Sequence, residues 1–394
     1  MITLKMSQQP SGQSQSCCGP KNQGALTPDM ASRSQALQAL SGLTIEKQPW
    51  ISGIMNTAAG PVPVVKTAWT AADRRGQILS RISGFRDDYT VRPGLYAVGA
   101  PDATSDIFVS ANYKLSFDVL RRALAGMNGW ILALDTKGIN VWCAAGKGSF
   151  GTNELVTRVL GLDLASLVTH RTLIVPQLGA TGVKAAEVKK MTGFHVRFGP
   201  VDARDISAYV RAGYNATPAM REIGFGMADR LVLAPMELNQ ALRRFPLAAL
   251  IMLVLLGLEP SGILFTSAWR QGWPFLLLGL VSVLAGALLT PALLPFVPLR
   301  SFSAKGLLVG AAAVVPIVLL TPAGGGSFLY KAAALTLFPL VSSYLALQFT
   351  GATTFTTISG VKKELKVWLP IYIAGLAVSV ILVALHKMQS WGLI

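Results

Sequence analysis

Residues 130–148 read W-I-L-A-L-D-T-K-G-I-N-V-W-C-A-A-G-K-G. The short apolar run Trp130–Leu134 predicts a buried strand. The glycine-rich stretch Gly138–Gly148 follows it and leads toward a helix. A strand, a glycine-rich loop and a helix in this order are typical of α/β domains, which bind ligands at the carboxyl ends of their strands. The loops that begin after Ser110, Asp135 and Pro176 would then surround a ligand.

The same alternation continues on both sides of this stretch. Short apolar runs alternate with helical periods, which indicates a mostly parallel, Rossmann-like α/β sheet. The predicted strands are Asp106–Ser110, Trp130–Leu134, Thr172–Val175, His195–Phe198 and Leu231–Ala234, and the predicted helices are Phe117–Ala125, Asn153–Leu160, Val183–Met191 and Ile206–Ala212. Residues 46–105 predict a loop-rich leading segment with one amphipathic helix near Asp73–Ile82. The Ser/Gln-rich residues 1–45 predict disorder.

The chain is more apolar than a soluble protein, and its long uncharged runs lie in the C-terminal part. Apolar residues make up 52% of the chain and charged residues 14%, whereas soluble domains have about a quarter charged residues. The candidate spans, each to be compared with the ~20 residues that cross a bilayer, are Phe245–Leu258, Gly272–Thr290, Gly306–Ala323, Ala332–Thr350 and Val367–Leu385. The first is the shortest, and a buried or interfacial helix is its alternative. We therefore predict an α/β domain over 46–240 and an all-α transmembrane domain of about five helices over 241–394.

The basic residues give this arrangement an orientation. The net charge is +16, and the basic residues cluster at the ends of the apolar runs without a nucleic-acid-binding signature. With the N-terminal half inside the cell, the inner loops hold Arg243, Arg244, Arg300, Lys305, Lys362, Lys363 and Lys366, and the outer loops and tail hold Arg270, Lys331 and Lys387. This bias predicts a multi-pass protein of the cytoplasmic (inner) membrane with a cytoplasmic α/β domain. The predicted spans contain no acid, Lys or Arg, which argues against ion transport.

The glycine spacing in Gly138–Gly148 differs from that of a nucleotide-binding loop. A Walker loop needs G-x-x-x-x-G-K followed by Ser or Thr. Here seven residues separate Gly138 from Gly146, and Gly148 follows Lys147. Nucleotide binding is therefore not the chemistry that this stretch predicts.

Cys143 is the soft metal ligand of the stretch. Small residues follow it and would let a flat, bulky partner approach the backbone. One thiolate without further Cys or His nearby suits a metal already held in a macrocycle, which needs one axial ligand, and does not suit zinc. The residues alone leave a second interpretation open, that Cys143 is a buried core thiol. The other cysteines, Cys17 and Cys18, lie in the predicted disordered segment, where an incidental pair and a metal relay are both open.

The stretch Asn140–Lys147, N-V-W-C-A-A-G-K, resembles the cap-helix motif of the HgcA family of mercury-methylation corrinoid proteins. Three further blocks resemble that family: Thr90–Gly99, Val109–Asp118 and Val175–Gly182. Members often carry Thr where this chain has Ser110. The resemblance covers about residues 60–390 and includes the plan of a corrinoid-binding α/β domain followed by membrane spans.

The resemblance implies a base-off, cobalamin-type corrinoid with Cys143 as the lower axial ligand of cobalt. None of the histidines, His170, His195 and His386, lies in the D-x-H-x-x-G pattern of other corrinoid proteins. The residues that the resemblance places at the cofactor are Asn140, Val141, Trp142, Cys143, Ala144, Ala145, Gly146 and Lys147 in the cap helix, Ser110, Asn112 and Tyr113 in one loop, and Gln177, Leu178, Gly179, Ala180 and Gly182 in another.

The reaction that the resemblance implies is corrinoid-dependent methyl transfer from methyl–Co(III) to inorganic Hg(II), which gives methylmercury. A methyltetrahydrofolate-linked donor would remethylate Co(I). Because this chain has no cysteine run for an Fe–S cluster, electrons would come from the family's ferredoxin-like 4Fe–4S protein, HgcB.

Two other functions stay open. The α/β domain is also similar to the corrinoid domain of the iron–sulfur methyl carrier of the acetyl-CoA pathway, so one alternative is a membrane-anchored methyl carrier with a different acceptor. Those carriers lack the Cys143 motif and the membrane spans. The other alternative is a non-enzymatic membrane transporter or scaffold.

Overall fold

A computed structural model of the protein describes residues 48–320, 327–352 and 358–394. The predictions of disorder over 1–45 and of roles for Cys17 and Cys18 lie outside these residues. So does the end of the third predicted span, Thr321–Ala323.

The N-terminal half contains a seven-stranded mixed sheet. Its strands are β1 (Ile51–Thr57), β2 (Gly60–Val65), β3 (Gly94–Val98), β4 (Ile107–Ala111), β5 (Gly129–Leu134), β6 (Thr172–Val175) and β7 (His195–Phe198). They lie in the order β1-β2-β3-β5-β4-β6-β7. Strand β4 pairs in parallel with β5 and β6, and β6 with β7, as predicted. The pairs β1–β2 and β3–β5 are antiparallel.

Seven helices connect or flank these strands in the described α/β domain: α1 (Ala71–Ile82), α2 (Lys114–Ala123), α3 (Val141–Lys147), α4 (Thr152–Gly161), α5 (Leu164–Leu167), α6 (Ala185–Thr192) and α7 (Ile206–Arg211). The sheet carries a buried apolar cluster on each face. Strands β3, β4 and β5 are buried throughout, which explains their continuous apolar sequences.

Two sequence predictions for this domain need correction. The predicted strand Leu231–Ala234 is wrong, because these residues lie inside a long helix in which Arg230 and Ala234, four residues apart, are buried on one face. The leading segment 46–105 holds the predicted helix, α1, but it is not mainly loop, because β1, β2 and β3 lie there too.

The C-terminal part is helical. Its helices are α8 (Met227–Gly257), α9 (Phe265–Leu284), α10 (Thr290–Leu293), α11 (Phe302–Leu320), α12 (Phe328–Gln348) and α13 (Ile358–Ser390), with a π-helical turn at Ala285–Leu289 between α9 and α10 and a short hairpin of β8 (Leu258–Glu259) and β9 (Gly262–Ile263) after α8. Taking α9 and α10 as one continuous segment, five helices of the described chain are long and apolar enough to cross a membrane. This confirms the predicted count. The boundary predicted at residue 240 stays a prediction, and α8 runs through it.

Small residues bring two of these helices close together. The Ser342 hydroxyl of α12 donates to the Gly306 carbonyl of α11 at 2.9 Å, and the Ser343 hydroxyl donates to the Ser303 carbonyl at 2.7 Å. A Cβ atom at position 306 would lie 2.4 Å from the Ala346 Cβ. Small residues and serine hydroxyls thus hold α11 and α12 together.

Helix α8 also contacts the α/β domain. The Arg86 guanidinium lies 3.0 Å from the Met236 sulfur, and the Asn239 side-chain amide donates to the Ile82 carbonyl. The segment that follows α1 is therefore fixed to the first half of α8.

Candidate cofactor site

Helix α3 carries the predicted ligand, Cys143. The Asn140 side chain caps its N-terminus, accepting a hydrogen bond from the Cys143 amide at 2.9 Å. The helix ends at Gly148, whose φ of 84° is left-handed and is adopted most easily by glycine. Sequence-encoded caps at both ends therefore define this short helix.

The two faces of α3 differ. Val141, Ala144 and Ala145 are buried against the sheet. Trp142 is 39% exposed, and the Cys143 thiol is half-buried and not bonded to another cysteine. The predicted cap helix is therefore a helix of about two turns, with a packed side and an open side.

The open side of α3 leaves free space at Gly146 among the described residues. Gly146 lies three residues after Cys143 and therefore on the same helix face. A Cβ atom at Gly146 would meet no atom within 4 Å. Lys147 is exposed next to it. A flat group could therefore lie over this face against the thiol.

The loop before α3 is held by Asn112, at the end of β4. Its side-chain oxygen accepts the Thr136 amide at 3.0 Å and the Gly138 amide at 3.1 Å, and it lies 2.8 Å from the Thr136 hydroxyl. Asn112 is only 6% exposed and Thr136 is fully buried, so no water can replace this oxygen for the two Thr136 donors. Asn112 therefore fixes the direction in which the chain enters α3.

A second contact holds the same loop. Gly138 has a φ of 69°, and a Cβ atom there would lie 2.8 Å from the Thr90 methyl group. Thr90 forms a β-bridge with Tyr113. The structure thus joins the predicted loop at Ser110–Tyr113 to the loop that leads into α3.

Burial assigns most of that first loop a supporting role. Ser110 is 2% exposed and Tyr113 is 6% exposed, so their side chains lie in the core rather than on an open surface. Asn112 acts through its hydrogen bonds to the loop. The predicted direct contact of these three residues with a cofactor stays a prediction.

The third predicted loop packs directly on α3. A Cβ atom at Gly182 would lie 3.1 Å from the Ala145 Cα and 2.1 Å from the Phe150 carbonyl oxygen. A Cβ atom at Gly179 would lie 2.5 Å from the Phe150 ring. Gln177, Leu178 and Ala180 are partly exposed around these two glycines. The structure therefore brings the loop 177–182 and the helix α3 together, as predicted.

Several supporting residues were not predicted from the sequence. The Glu154 carboxylate accepts the Asp135 amide at 2.8 Å and pairs with Arg158 at 2.6 Å. The Arg221 guanidinium donates to the Gln177 side chain at 2.9 Å. Glu154 lies in the first turn of a predicted helix, but nothing in its local sequence indicates its partner at Asp135.

A buried ion cluster lies next to Tyr113 in the chain. Lys114 pairs with Asp73 at 3.1 Å and with Asp118 at 2.5 Å, and Arg121 also contacts both carboxylates. Burial by itself would raise the pKa of Asp73, but hydrogen bonds from Thr70 and Arg121 and the charge of Lys114 together hold that pKa well below its usual range. The cluster ties α1 to α2, directly behind the loop that ends at Tyr113.

Tyr89 contacts the same cluster from the segment after α1. Its hydroxyl lies 3.3 Å from the Asp118 carboxylate, and its carbonyl accepts the Lys114 amide at 2.9 Å. Burial, followed by the charges of Asp118 and Asp73, raises the pKa of Tyr89, which therefore stays a neutral donor.

The side chains at α3 that could bind a metal favour one kind of metal cofactor. The described residues contain no group of three or more His, Cys, Asp or Glu side chains that could hold a bare metal ion. Cys143 instead offers a single sulfur beside the open Gly146 face. This combination fits a metal that arrives inside a planar macrocycle and needs one protein ligand.

Comparisons with known proteins identify relatives of the α/β domain. Residues 85–210 match the family model described as "CdhD: CO dehydrogenase/acetyl-CoA synthase delta subunit". The acetyl-CoA decarbonylase/synthase complex subunit gamma of Methanopyrus kandleri is 31% identical over 128 residues, which are 32% of this chain and 27% of that protein. The corrinoid/iron-sulfur protein large subunit of Moorella thermoacetica is 26% identical over 149 residues, 36% of this chain and 33% of that protein. Residues 85–210 are thus related to the CdhD family.

The CdhD-related segment includes α3 and all three loops of the site and ends before α8. The chain spans only about a quarter to a third of the length of these relatives. Of the two resemblances stated from the sequence, the one to proteins of the acetyl-CoA pathway is confirmed. The resemblance to mercury-methylation proteins stays a prediction.

Proposed function

We propose that this protein is a membrane-anchored, corrinoid-dependent methyltransferase that methylates inorganic Hg(II). The observation that carries the proposal is the open face of α3, where the half-buried Cys143 thiol stands beside Gly146. The relationship of residues 85–210 to corrinoid-protein sequences supports a corrinoid as the group that this face receives.

The corrinoid, when bound, would supply a cobalt that carries the methyl group. Cys143 would hold the cobalt, and its thiolate would donate electron density to the metal. Hg(II) is electron-poor, so the methyl group must leave with electron density, which a thiolate supports better than a neutral imidazole. An axial ligand is an established means of adjusting a cofactor metal.

The remaining site residues would orient rather than react. Asn140 and Gly148 set the ends of α3, and Asn112 sets the loop before it. Gly182 lets the loop 177–182 lie against α3. The exposed Trp142 and Lys147 would border the bound ring. These groups together would keep the Cys143 sulfur at one fixed position.

The partners and the location belong to the same proposal. A methyltetrahydrofolate-linked protein would supply the methyl group, and the ferredoxin-like 4Fe–4S protein HgcB would supply electrons. The basic residues at the inner ends of the spans support a cytoplasmic location of the α/β domain. The five apolar helices would anchor the reaction at the inner membrane.

A second function is favoured by the comparisons. The relatives named above are proteins of the acetyl-CoA pathway, so the chain could carry a methyl group to a different acceptor. The family match covers residues 85–210 and ends before α8. We propose that Cys143 and the helical region α8–α13 distinguish a mercury methyltransferase from such a carrier.

The test uses the full-length protein, purified in detergent and loaded with cobalamin. We expect an absorption spectrum of a thiolate-ligated corrinoid, and methylmercury when Hg(II), a reductant and a methyl donor are supplied. Cys143→Ala should change the spectrum and abolish methylmercury formation. The matched control is the Cys17→Ala/Cys18→Ala double variant, which removes two thiols elsewhere and should leave the spectrum unchanged.

The outcomes separate the candidates. No bound corrinoid would remove both methyl-transfer functions. Bound corrinoid without methylmercury, under conditions that remethylate the cobalt, would favour the acetyl-CoA-type carrier. An unchanged spectrum in Cys143→Ala would show that another group ligates the cobalt.

A further inference from the structure

Arg230 lies in the first turn of α8 and is buried. Its side chain is 4% exposed, and its Nε donates to the Gly226 carbonyl at 3.2 Å. A guanidinium has five N–H donors and remains charged at any physiological pH. Burying one therefore requires acceptors for the donors that remain.

One of these donors has no acceptor. The Arg230 Nη1 atom is inaccessible to water and has no hydrogen-bond partner in the part of the chain that the structure describes. A buried donor left without a partner costs about 1–3 kcal/mol, and more when it is charged. An acceptor from outside the chain would remove this cost.

Arg230 lies among the ends of several helices. Leu233, one turn after Arg230, packs with Phe225 against a buried apolar cluster. That cluster consists of Leu294, which follows α10, Phe302, which begins α11, and Phe349, which follows α12. Arg230 thus stands at the end of the helical region from which α8 and α11 begin.

A second cation lies near it. The Lys305 ammonium donates to the carbonyl of Leu294, which belongs to the apolar cluster that Leu233 packs against, one turn after Arg230. The neighbouring carboxylate, Glu364, is engaged elsewhere, by the Ser301 hydroxyl at 2.7 Å and the Ser303 amide at 2.6 Å. The ion pairs among the described residues include neither Arg230 nor Lys305. Two cations at one group of helix ends, neither of them in an ion pair with a described residue, favour an anionic ligand.

We propose that Arg230 and Lys305 bind the phosphodiester of an anionic phospholipid headgroup. The site lies at the ends of helices that are long and apolar enough to cross a membrane. The ends of membrane-spanning helices lie at the depth of the lipid headgroups. A guanidinium recognises phosphate oxygens with paired hydrogen bonds, and a lysine adds a point charge. The proposal is independent of the methyl transfer, since α8 and α11 lie outside the CdhD-related segment.

The test is thermal unfolding of the full-length protein in neutral detergent. Phosphatidylglycerol should raise the unfolding midpoint in a saturable way, as expected for a ligand that binds only the folded state. Phosphatidylcholine, whose headgroup is zwitterionic, should give a much smaller shift. Inorganic phosphate at the same concentration should give none. A saturable shift with inorganic phosphate equal to that with the lipid would overturn the assignment to a lipid.

Variants distinguish a binding site from a structural arginine. Arg230→Met should weaken the apparent affinity for phosphatidylglycerol roughly ten- to hundredfold, the loss of a charged hydrogen bond. Without lipid it should unfold no earlier than the natural protein, because it removes an unpaired buried charge. Arg230→Lys should retain part of the lipid effect.

The matched control is Arg243→Met, an exposed arginine on the same helix, which should keep the natural affinity. Equal loss of affinity in Arg243→Met would show a diffuse charge effect and overturn the site. Equal destabilisation of Arg230→Met with and without phosphatidylglycerol would show that Arg230 has only a structural role.

Discussion

Gly182 and Ala145 are in direct backbone contact: a Cβ atom on Gly182 would lie 3.1 Å from the Ala145 Cα. The same added atom would lie 2.1 Å from the Phe150 carbonyl oxygen. The Gly182 carbonyl in turn accepts the Thr152 amide at 3.2 Å. The loop after β6 and the helix that carries Cys143 therefore pack as one unit, and the absence of a side chain at position 182 makes this possible.

The first prediction follows from this contact. Gly182→Ala should lower the free energy of unfolding by about 1–3 kcal/mol, because backbone atoms on both sides must move. It should also weaken corrinoid binding, since α3 is displaced. The measurement is urea unfolding of the full-length protein in detergent, followed by tryptophan fluorescence. Gly161→Ala is the control: its Cβ atom would meet nothing within 4 Å, and stability should not fall. Equal effects in the two variants would contradict the packing argument.

The second prediction concerns the open face of α3. Gly146→Ala places a methyl group in open space within a helix, and alanine is favoured there over glycine by about 0.8–1 kcal/mol. We expect the cofactor-free protein to become slightly more stable. If a flat ring lies over the Cys143 face, the same methyl group should weaken corrinoid binding.

The second prediction is specific because stability should rise while the affinity for the corrinoid falls. Stability comes from unfolding curves, and affinity from titration of the cofactor-free protein with cobalamin. Unchanged affinity in a stable Gly146→Ala protein would place the ring on another surface.

The parallel part of the sheet could be predicted from the sequence because its strands are short, apolar and separated by helical periods. The predicted strand His195–Phe198 and the predicted helix Asn153–Leu160 agree with β7 and with α4, Thr152–Gly161. Strands β1 and β2 were missed because Gly53, Pro61 and Pro63 interrupt the apolar alternation. β1 is the edge strand, and Pro61 and Pro63 lie in the part of β2 that pairs with β1 but not with β3, where proline is tolerated.

The false strand at Leu231–Ala234 has a different cause. Four apolar residues followed by Pro235 are typical of a strand that ends, whereas here Pro235 lies inside α8. The helix continues through it because tertiary packing, such as that of Ala234, outweighs the local preference. Short apolar runs do not distinguish a strand from part of a long helix.

At the site, Cys143 and its cap Asn140 could be found from the sequence, because motif and cap are local. The hydrogen bonds from Thr136 and Gly138 to Asn112 could not, because they depend on how β4 and β5 pair across 24 and 26 residues of chain. The role of Glu154 at Asp135 was hidden for the same reason. Sequence patterns thus identified the candidate ligand, Cys143, and the tertiary structure shows which residues fix the loop before it.

The third prediction tests that orienting contact. Asn112→Ala should lower the free energy of unfolding by about 1–3 kcal/mol, because buried amides lose their acceptor. It should also lower the affinity for the corrinoid, since the loop before α3 is released. Asn112→Asp keeps the acceptor oxygen and should retain more of both. The control is Asn215→Ala, which removes an exposed hydrogen bond to Ala212. A stable Asn112→Ala protein with natural affinity would contradict the role assigned to Asn112.

The fourth prediction concerns acid stability and the buried pairs of Asp73 with Lys114 and Arg121. The pKa of Asp73 is lower in the folded protein than in the unfolded chain. Such a group stabilises the fold fully above its unfolded pKa, near 4, and this contribution is lost as the pH falls further. We therefore expect the free energy of unfolding to decrease progressively below about pH 4.

Asp73→Asn should reduce this acid slope, because the residue that titrates has been removed. It should also lower stability at neutral pH by about 3–5 kcal/mol, since two buried cations lose a partner. Urea unfolding at a series of pH values, with the full-length protein in detergent, measures both effects. The matched control is Glu187→Gln, which breaks the exposed pair with Lys184 and should change stability by less than about 1 kcal/mol. An Asp73→Asn protein with the natural acid slope would show that other carboxylates, such as Asp118, determine the acid response.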